Sequence, residues 1–203
     1  GTVGVTTNTG IYQTGAITNN ATGSNISFFT NGKINQIGAI ALVANTTSTA
    51  VSITYNTTSG SKGSSVVSGA ITVAAGANAS PINYIIKTLG ASINPAAIGA
   101  AANPLPGYIL LDNSYGCSGT NCTPVTDFIN ATTNNLASLG TAVTGVTINN
   151  LIFATGSITV NGVTGGAGQK GIDITVNLTS TANSIILNGV TTTGYGVYAA
   201  STL

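Results

Sequence analysis

Short runs of apolar residues, many of them alternating with polar ones, recur along the whole chain and restrict it to an all-β fold. An apolar residue at every second position is typical of a strand with one buried face. Eleven such runs lie at 25–30, 36–44, 50–56, 65–75, 82–89, 107–112, 141–155, 157–162, 171–178, 183–190 and 194–201. Turn dipeptides separate many of them: Asn31-Gly32, Ser59-Gly60, Asn161-Gly162 and Asn188-Gly189. Short strands joined by turns predict an antiparallel β-sandwich, Ig-like or pilin-like.

Helix signals are confined to two segments. In 94–104, Asn94 suits a helix cap, Pro95 suits the first turn and Pro104 ends the pattern. Residues 126–140 run from a Thr126 cap to Gly140, although Thr and Asn weaken the helical preference there. The sequence therefore predicts at most one or two short helices.

The first eighteen residues already have a strand pattern. Their apolar and β-branched side chains fall on odd positions: Val3, Val5, Thr7, Thr9 and Ile11. One interpretation is an ordinary edge strand of the same domain. The other is a donor strand that completes the sheet of a neighbouring subunit, which builds a head-to-tail filament. The second interpretation divides the chain into a donor tail (1–18) and a β-sandwich domain (19–203).

Charged residues make up only 3% of the chain, which holds four Lys, three Asp and no His. Acid unfolds proteins mainly by protonating paired carboxylates and charging buried histidines, so we expect stability to vary little between acidic and neutral pH. Four scattered lysines give no basic stripe, which argues against a nucleic-acid partner. No run of eighteen apolar residues occurs, so no membrane-spanning segment is expected.

The sequence contains few of the residue types and motifs that enzymes use for catalysis. Acid–base and nucleophilic mechanisms use His, Glu, an activated Cys or paired Asp, and the three Asp contexts match no hydrolase signature. The Gly-rich stretch GGAGQKG (165–171) is not set between a strand and a helix, and no zinc-ligand set exists. We expect no enzymatic activity, no metal and no cofactor.

Cys117 and Cys122 are the two cysteines of the chain. The chain begins at Gly1 without a Met or an apolar leader, which favours a mature exported protein over a trimmed sequence. Export favours a disulfide between the two cysteines; two free thiols are the alternative for a cytosolic protein.

Eight asparagines lie in Asn-x-Ser/Thr sequences, the acceptor motif for N-glycans. They are Asn20, Asn25, Asn45, Asn56, Asn78, Asn121, Asn130 and Asn177. An Asn- and Thr-rich chain produces several by chance, and Pro81 weakens the Asn78 motif. We expect covalent N-glycans on some of them, which would also keep a nearly uncharged protein in solution.

Lys87 stands out in the run 82–89, where both faces carry apolar residues. That pattern predicts a central strand, in which a lysine must reach the rim, pair with an Asp or be modified. The modification considered is an isopeptide crosslink to an Asn or Asp, as in some pilins.

Three features together resemble the subunits of archaeal threads, thin extracellular pili of thermoacidophiles in the Sulfolobus group. They are the GTVGVTTNTG start, the β-rich body of Thr, Asn and Gly, and the short C-x4-C loop. The resemblance implies a heavily N-glycosylated filament joined by donor-strand complementation. The donor role falls on Val3, Val5 and the strand around them.

The sequence thus predicts an acid-stable structural subunit of an extracellular filament, serving adhesion or biofilm formation, with identical subunits as partners. Two alternatives stay open. One is a surface-layer or adhesin-type β-domain that binds carbohydrate or cell surfaces; the other is the coat protein of an acid-resistant filament.

Overall fold

The structure is a computed structural model and describes residues 3–7, 9–19, 25–42, 51–57, 64–75, 81–88, 90–114, 117–118, 123–124, 144–191, 193–201 and 203. Every regular element within these ranges is a β-strand. The chain winds in coils, each of which contributes at most one strand to each of three sheets, and each coil stacks on the one before.

The first three coils contain three strands each. Their bounds are β1 (Val3–Thr7), β2 (Ile11–Gln13), β3 (Ile17–Asn19), β4 (Ile26–Thr30), β5 (Ile34–Gln36), β6 (Ile40–Leu42), β7 (Val51–Asn56), β8 (Val66–Ser68) and β9 (Ile71–Val73).

The following coils are less regular, and one carries an antiparallel pair. Their strands are β10 (Ile82–Lys87), β11 (Ile93–Pro95), β12 (Gly107–Asp112), β13 (Cys117–Ser118), β14 (Thr123–Pro124), β15 (Val146–Ile148), β16 (Ile152–Ala154), β17 (Ile158–Thr164), β18 (Ile172–Ile174), β19 (Leu178–Ser180), β20 (Ile185–Thr191) and β21 (Val197–Ala199).

Stacking of the coils produces three parallel sheets. Sheet A has seven strands in the order β1-β4-β7-β10-β12-β17-β20, and sheet B has seven in the order β2-β5-β8-β11-β15-β18-β21. Sheet C consists of β3-β6-β9 and β16-β19, and Ile98 bridges the two parts by pairing with Ile71 and Ile152. This arrangement is a parallel β-solenoid.

The predicted antiparallel sandwich is therefore wrong. Alternation shows which side chains are buried but not the direction of the neighbouring strand, and the Asn-Gly dipeptides were misleading as hairpin signals. Asn161-Gly162 lies inside β17 and Asn188-Gly189 inside β20. Asn31-Gly32 forms a corner between sheets A and B. Among the described residues, only β13 and β14 pair antiparallel.

The first predicted helix is also wrong. Asn94 and Pro95 lie in β11, because the parallel ladder to β8 takes up these residues. The second, 126–140, lies outside the described residues. Within the described ranges no helix is long and apolar enough to cross a membrane.

The core lies inside the coils and consists of columns of stacked side chains, one from each coil. In sheet A the register aligns Val5, Phe28, Tyr55, Ile86, Leu111, Val160 and Leu187. In sheet C it aligns Ile17, Ile40, Ile71, Ile98, Ile152 and Leu178. Burial of these aliphatic and aromatic side chains is the main stabilising term, at roughly 25 cal/mol per Å².

Tyrosines interrupt the aliphatic columns in the third and fourth coils. The rings of Phe28 and Tyr55 stack with centroids 5.0 Å apart, and Tyr55 and Tyr84 lie 5.7 Å apart. Tyr55 donates a hydrogen bond to Gln36 and Tyr84 donates one to Ser68, at 2.5 and 2.6 Å. These polar groups can be buried because each has a partner.

A stack of glycines forms the corner between sheets B and C in the first three coils. Gly15, Gly38 and Gly69 each precede Ala-Ile in the sequence. A Cβ at Gly38 would overlap the carbonyl oxygen of Gly15, and one at Gly69 would overlap that of Gly38. The glycines therefore let the coils approach closely.

Candidate functional site at the end coils

The N-terminal end of the solenoid is formed by β1, β2 and β3. Each pairs on one side with a strand of the second coil, starting with Val3 opposite Ile26. No strand of the described residues pairs with their other side. Val5 and Ile17 are consequently half-buried, whereas Phe28 and Ile40, their neighbours in the second coil, are fully buried.

The C-terminal end has the same character. β20 and β21 are the last strands of sheets A and B, and Ile185 and Leu187 of β20 are only half-buried. These two side chains line a cavity of about 490 Å³ that is open to solvent. Its lining residues are Asn177, Leu178, Thr179, Ser180, Asn183, Ile185, Leu187 and Leu203.

Leu203 lines this cavity together with Leu178, the last residue of the sheet C column, and its spacing suits the next position of that column. It follows Val197 by six residues, as Leu178 follows Ile172 and Ile17 follows Ile11. With 54% of its surface exposed, it presents an apolar side chain at the open end of the core.

The five residues predicted to drive polymerisation lie in this first coil. Val3, Val5 and Thr7 belong to β1, Thr9 is exposed at the following corner, and Ile11 begins β2. The structure pairs β1 with β4 of the same chain, so intrachain pairing already accounts for the alternation. Residues 3–7 and 9–19 form the first coil of the solenoid.

Three of the eight predicted glycan acceptors lie in the described residues. Asn25 and Asn177 are exposed, the first ahead of β4 and the second between β18 and β19. Asn56 is half-buried at the end of β7. Asn20, Asn45, Asn78, Asn121 and Asn130 lie outside the described residues. Glycosylation stays a prediction.

The structure describes the cysteine segment in part. Cys117 lies in β13 opposite Pro124 of β14, and Ser118 lies opposite Thr123. Cys122 is outside the described residues, and the disulfide stays a prediction.

Lys87 ends the central strand β10 of sheet A and faces outward, half-buried. The register places it between Asn56 on one side and Asp112 on the other. Asp112 accepts hydrogen bonds from the Ser114 amide (2.8 Å) and from the side-chain amide of Asn161 (3.2 Å). A carboxylate one strand away supports the ion-pair interpretation, and the isopeptide stays a prediction.

No group of three or more His, Cys, Asp or Glu that could hold a metal occurs in the described part of the chain. The Gly-rich stretch 165–171 is a corner between β17 and β18 in the described structure. A Cβ at Gly162 or Gly189 would overlap the backbone of Gly171 or Gly196, which explains why both strands carry glycine before these corners.

The role of the C-terminal end of the solenoid was not predicted from the sequence. A signal for it was present: ITVNGVT (158–164) and IILNGVT (185–191) share the NGVT tetrapeptide, and they pair residue by residue as β17 and β20. GAI likewise recurs at 15–17, 38–40 and 69–71. Both repeats mark equivalent positions in successive coils.

Comparison with protein-family models, with curated proteins and with solved structures found no match.

Proposed function

We propose that this protein is a structural, non-catalytic subunit of an extracellular filament, such as a pilus or thread, in which copies stack head to tail along the solenoid axis. The observation that carries the proposal is the match between the two ends. Both present open edges of parallel strands that run in the same direction around the same core. A second copy can therefore continue the sheets.

The register specifies the junction. If sheet A continues with its present alignment, Leu187 stacks on Val5 of the next copy, and Asn188 lies beside its Thr6. In sheet B, Val197 stacks on Ile11, and in sheet C, Leu203 stacks on Ile17. Each column would then continue with an apolar residue across the junction.

Two effects favour such a contact. The unpaired N–H and C=O groups of edge strands form a parallel ladder, and the half-buried apolar side chains become fully buried. Complete burial of one such side chain stabilises by about 1.5–3 kcal/mol. Part of this free energy is already gained in the single subunit, where the side chains are half-buried, and the junction adds the rest. Repulsion between copies is small because the formal net charge is +1.

This junction replaces the predicted route of assembly. Donor-strand complementation of a sandwich needs a sheet that lacks a strand, whereas edge addition needs only the open edges. Such a contact between different surfaces does not close on itself, so it produces a filament. We place the filament outside the cell, with N-glycans on exposed asparagines and a role in adhesion or biofilm formation.

Val5→Asp is expected to prevent filament formation, because it places a charge in the column that the junction buries. Thr72→Asp is the control: it adds the same charge to an exposed side chain of β9, in the third coil and away from both ends, and filaments should persist. Negative-stain microscopy and light scattering report assembly.

Leu203→Asp tests the opposite end without touching the first coil, and it should also prevent assembly. Melting curves identify any variant that merely fails to fold. Filaments from both folded Val5→Asp and folded Leu203→Asp, or their loss in Thr72→Asp, would overturn the proposal.

A further inference from the structure

An aromatic and charged cluster lies on the outward side of sheet B, near its C-terminal edge. We define the tyrosine–lysine cluster as Lys170, Asp173, Tyr195 and Tyr198. It brings together two of the chain's seven charged residues and two of its seven tyrosines. Because only seven residues of the chain carry a charge, two of them beside two tyrosines are an unusual concentration.

Two stacked corners hold the cluster in place. The Gly168 amide donates a hydrogen bond to the Thr193 carbonyl (2.8 Å), and the Gly171 amide donates one to the Tyr195 carbonyl (3.0 Å). Gly168 and Gly194 have φ values of 71° and 133°, in the range that favours glycine. The Gly-rich stretch 165–171 thus positions Lys170 beside the tyrosines.

Contacts within the cluster fix its side chains. The Lys170 ammonium lies 2.9 Å from an Asp173 carboxylate oxygen and 3.6 Å from the centroid of the Tyr198 ring. The Tyr195 and Tyr198 rings lie 5.7 Å apart at 53°. Tyr195 is 63% exposed and Tyr198 38% exposed. An ordered cationic group therefore borders an accessible aromatic ring.

We propose that the tyrosine–lysine cluster binds a neutral oligosaccharide with equatorial hydroxyls, such as a β-linked glucan. The axial C–H groups of such a sugar carry partial positive charge and stack on the negative face of an aromatic ring, here Tyr195. The Lys170 ammonium has three donors and uses one on Asp173, which leaves donors for sugar hydroxyls. Asp173 compensates the lysine charge, so an acidic sugar gains little advantage. This site goes beyond the proposed filament function.

Saturation-transfer NMR and calorimetry with cellohexaose test the site. Binding is expected in the millimolar range or tighter, with magnetisation transferred to the axial sugar protons. Tyr195→Ala should weaken binding at least about tenfold, a change of about 1.4 kcal/mol, whereas Tyr195→Phe keeps the ring and should bind nearly as well. Tyr108→Ala is the control, because Tyr108 is a 39% exposed tyrosine of β12, in the middle of sheet A and away from both ends of the solenoid.

Three results would overturn the proposal: no binding of cellohexaose at about 10 mM, equal losses in Tyr195→Ala and Tyr108→Ala, or tighter binding of oligogalacturonate than of cellohexaose. Failure here is distinguishable from failure of the filament proposal, because sugar binding and assembly are measured separately. Melting temperatures confirm that each variant is folded.

Discussion

Raising the pH from about 9 to about 12 is expected to remove much of the protein's stability, whereas acidification to strongly acidic pH should change it little. The cause of the alkaline loss is the pair Tyr55 and Tyr84. Both are completely buried. Burial raises the pKa of each phenol, and the proximity of Tyr84 raises the pKa of Tyr55 further.

The free energy of unfolding falls at alkaline pH because the folded and unfolded states bind different numbers of protons. Phenols in the unfolded chain ionise near pH 10, but the buried ones keep their protons. The unfolded state therefore binds fewer protons above that pH, and the free energy of unfolding falls as the pH rises toward the folded-state pKa values. Each buried tyrosine contributes up to about 1.4 kcal/mol per pH unit. The stabilisation is fully present below pH 10.

Urea unfolding at a series of pH values measures this effect. Tyr84→Phe should reduce the alkaline slope by about half, although the variant loses roughly 1 kcal/mol at neutral pH because Ser68 loses its partner. Tyr108→Phe is the control, because Tyr108 is 39% exposed on the outer side of sheet A, and its slope should equal that of the unmodified chain. Equal slopes in all three proteins, or a steep loss of stability in acid, would contradict this explanation.

Gly38→Ala is expected to destabilise the protein by about 1–3 kcal/mol or more, and Gly15→Ala to have almost no effect. Both glycines occupy the same corner in successive coils and precede the same Ala-Ile dipeptide. A Cβ at Gly38 would overlap the Gly15 carbonyl oxygen, whereas a Cβ at Gly15 meets no atom within 4 Å. Backbone cannot rotate away as a side chain does, so the coils must separate.

Chemical denaturation of the two alanine variants measures the difference. The pair controls for the change in backbone entropy, since both replace a glycine by alanine at equivalent corners. Equal stabilities would show that the coils do not approach as closely as this corner requires. Gly69→Ala, which overlaps the Gly38 carbonyl, should behave like Gly38→Ala.

The positions of many strands could be predicted from alternation, but the corners could not. The run 65–75 contains two strands, β8 and β9, and Gly69 turns the chain between them. Similarly, 141–155 contains β15 and β16. An apolar run marks buried residues in both a straight strand and a bent coil, so the two look alike in sequence.

The repeating coil has no fixed period in the sequence, because the coils differ in length. Val3 pairs with Ile26, Ile26 with Ile53 and Ile53 with Tyr84, separations of 23, 27 and 31 residues. A solenoid tolerates this variation, since added residues extend a corner away from the core. The constant element is short: an apolar residue of sheet B and the next of sheet C, often six residues apart as in Ile34 and Ile40.

Of the candidate assembly surface, the N-terminal end could be predicted from the sequence and the C-terminal end could not. Val5 and Ile11 could be selected because alternation at the start of the chain suggests an edge strand. Leu187 and Leu203 could not, since their role depends on lying at the last coil, and that requires the coil order. The tyrosine–lysine cluster has the same dependence, because Lys170 and Tyr198 meet only through the pairing of β18 with β21.

X-ray fibre diffraction from oriented filaments tests the central claim, stacking of solenoids along the filament axis, most directly. Strands would lie across the axis, so a strong meridional reflection near 4.7–4.8 Å is expected. The seven strands of sheet A give an axial subunit repeat of about 34 Å. A strand-spacing reflection on the equator, which places the strands along the filament, would contradict head-to-tail stacking of β-solenoids.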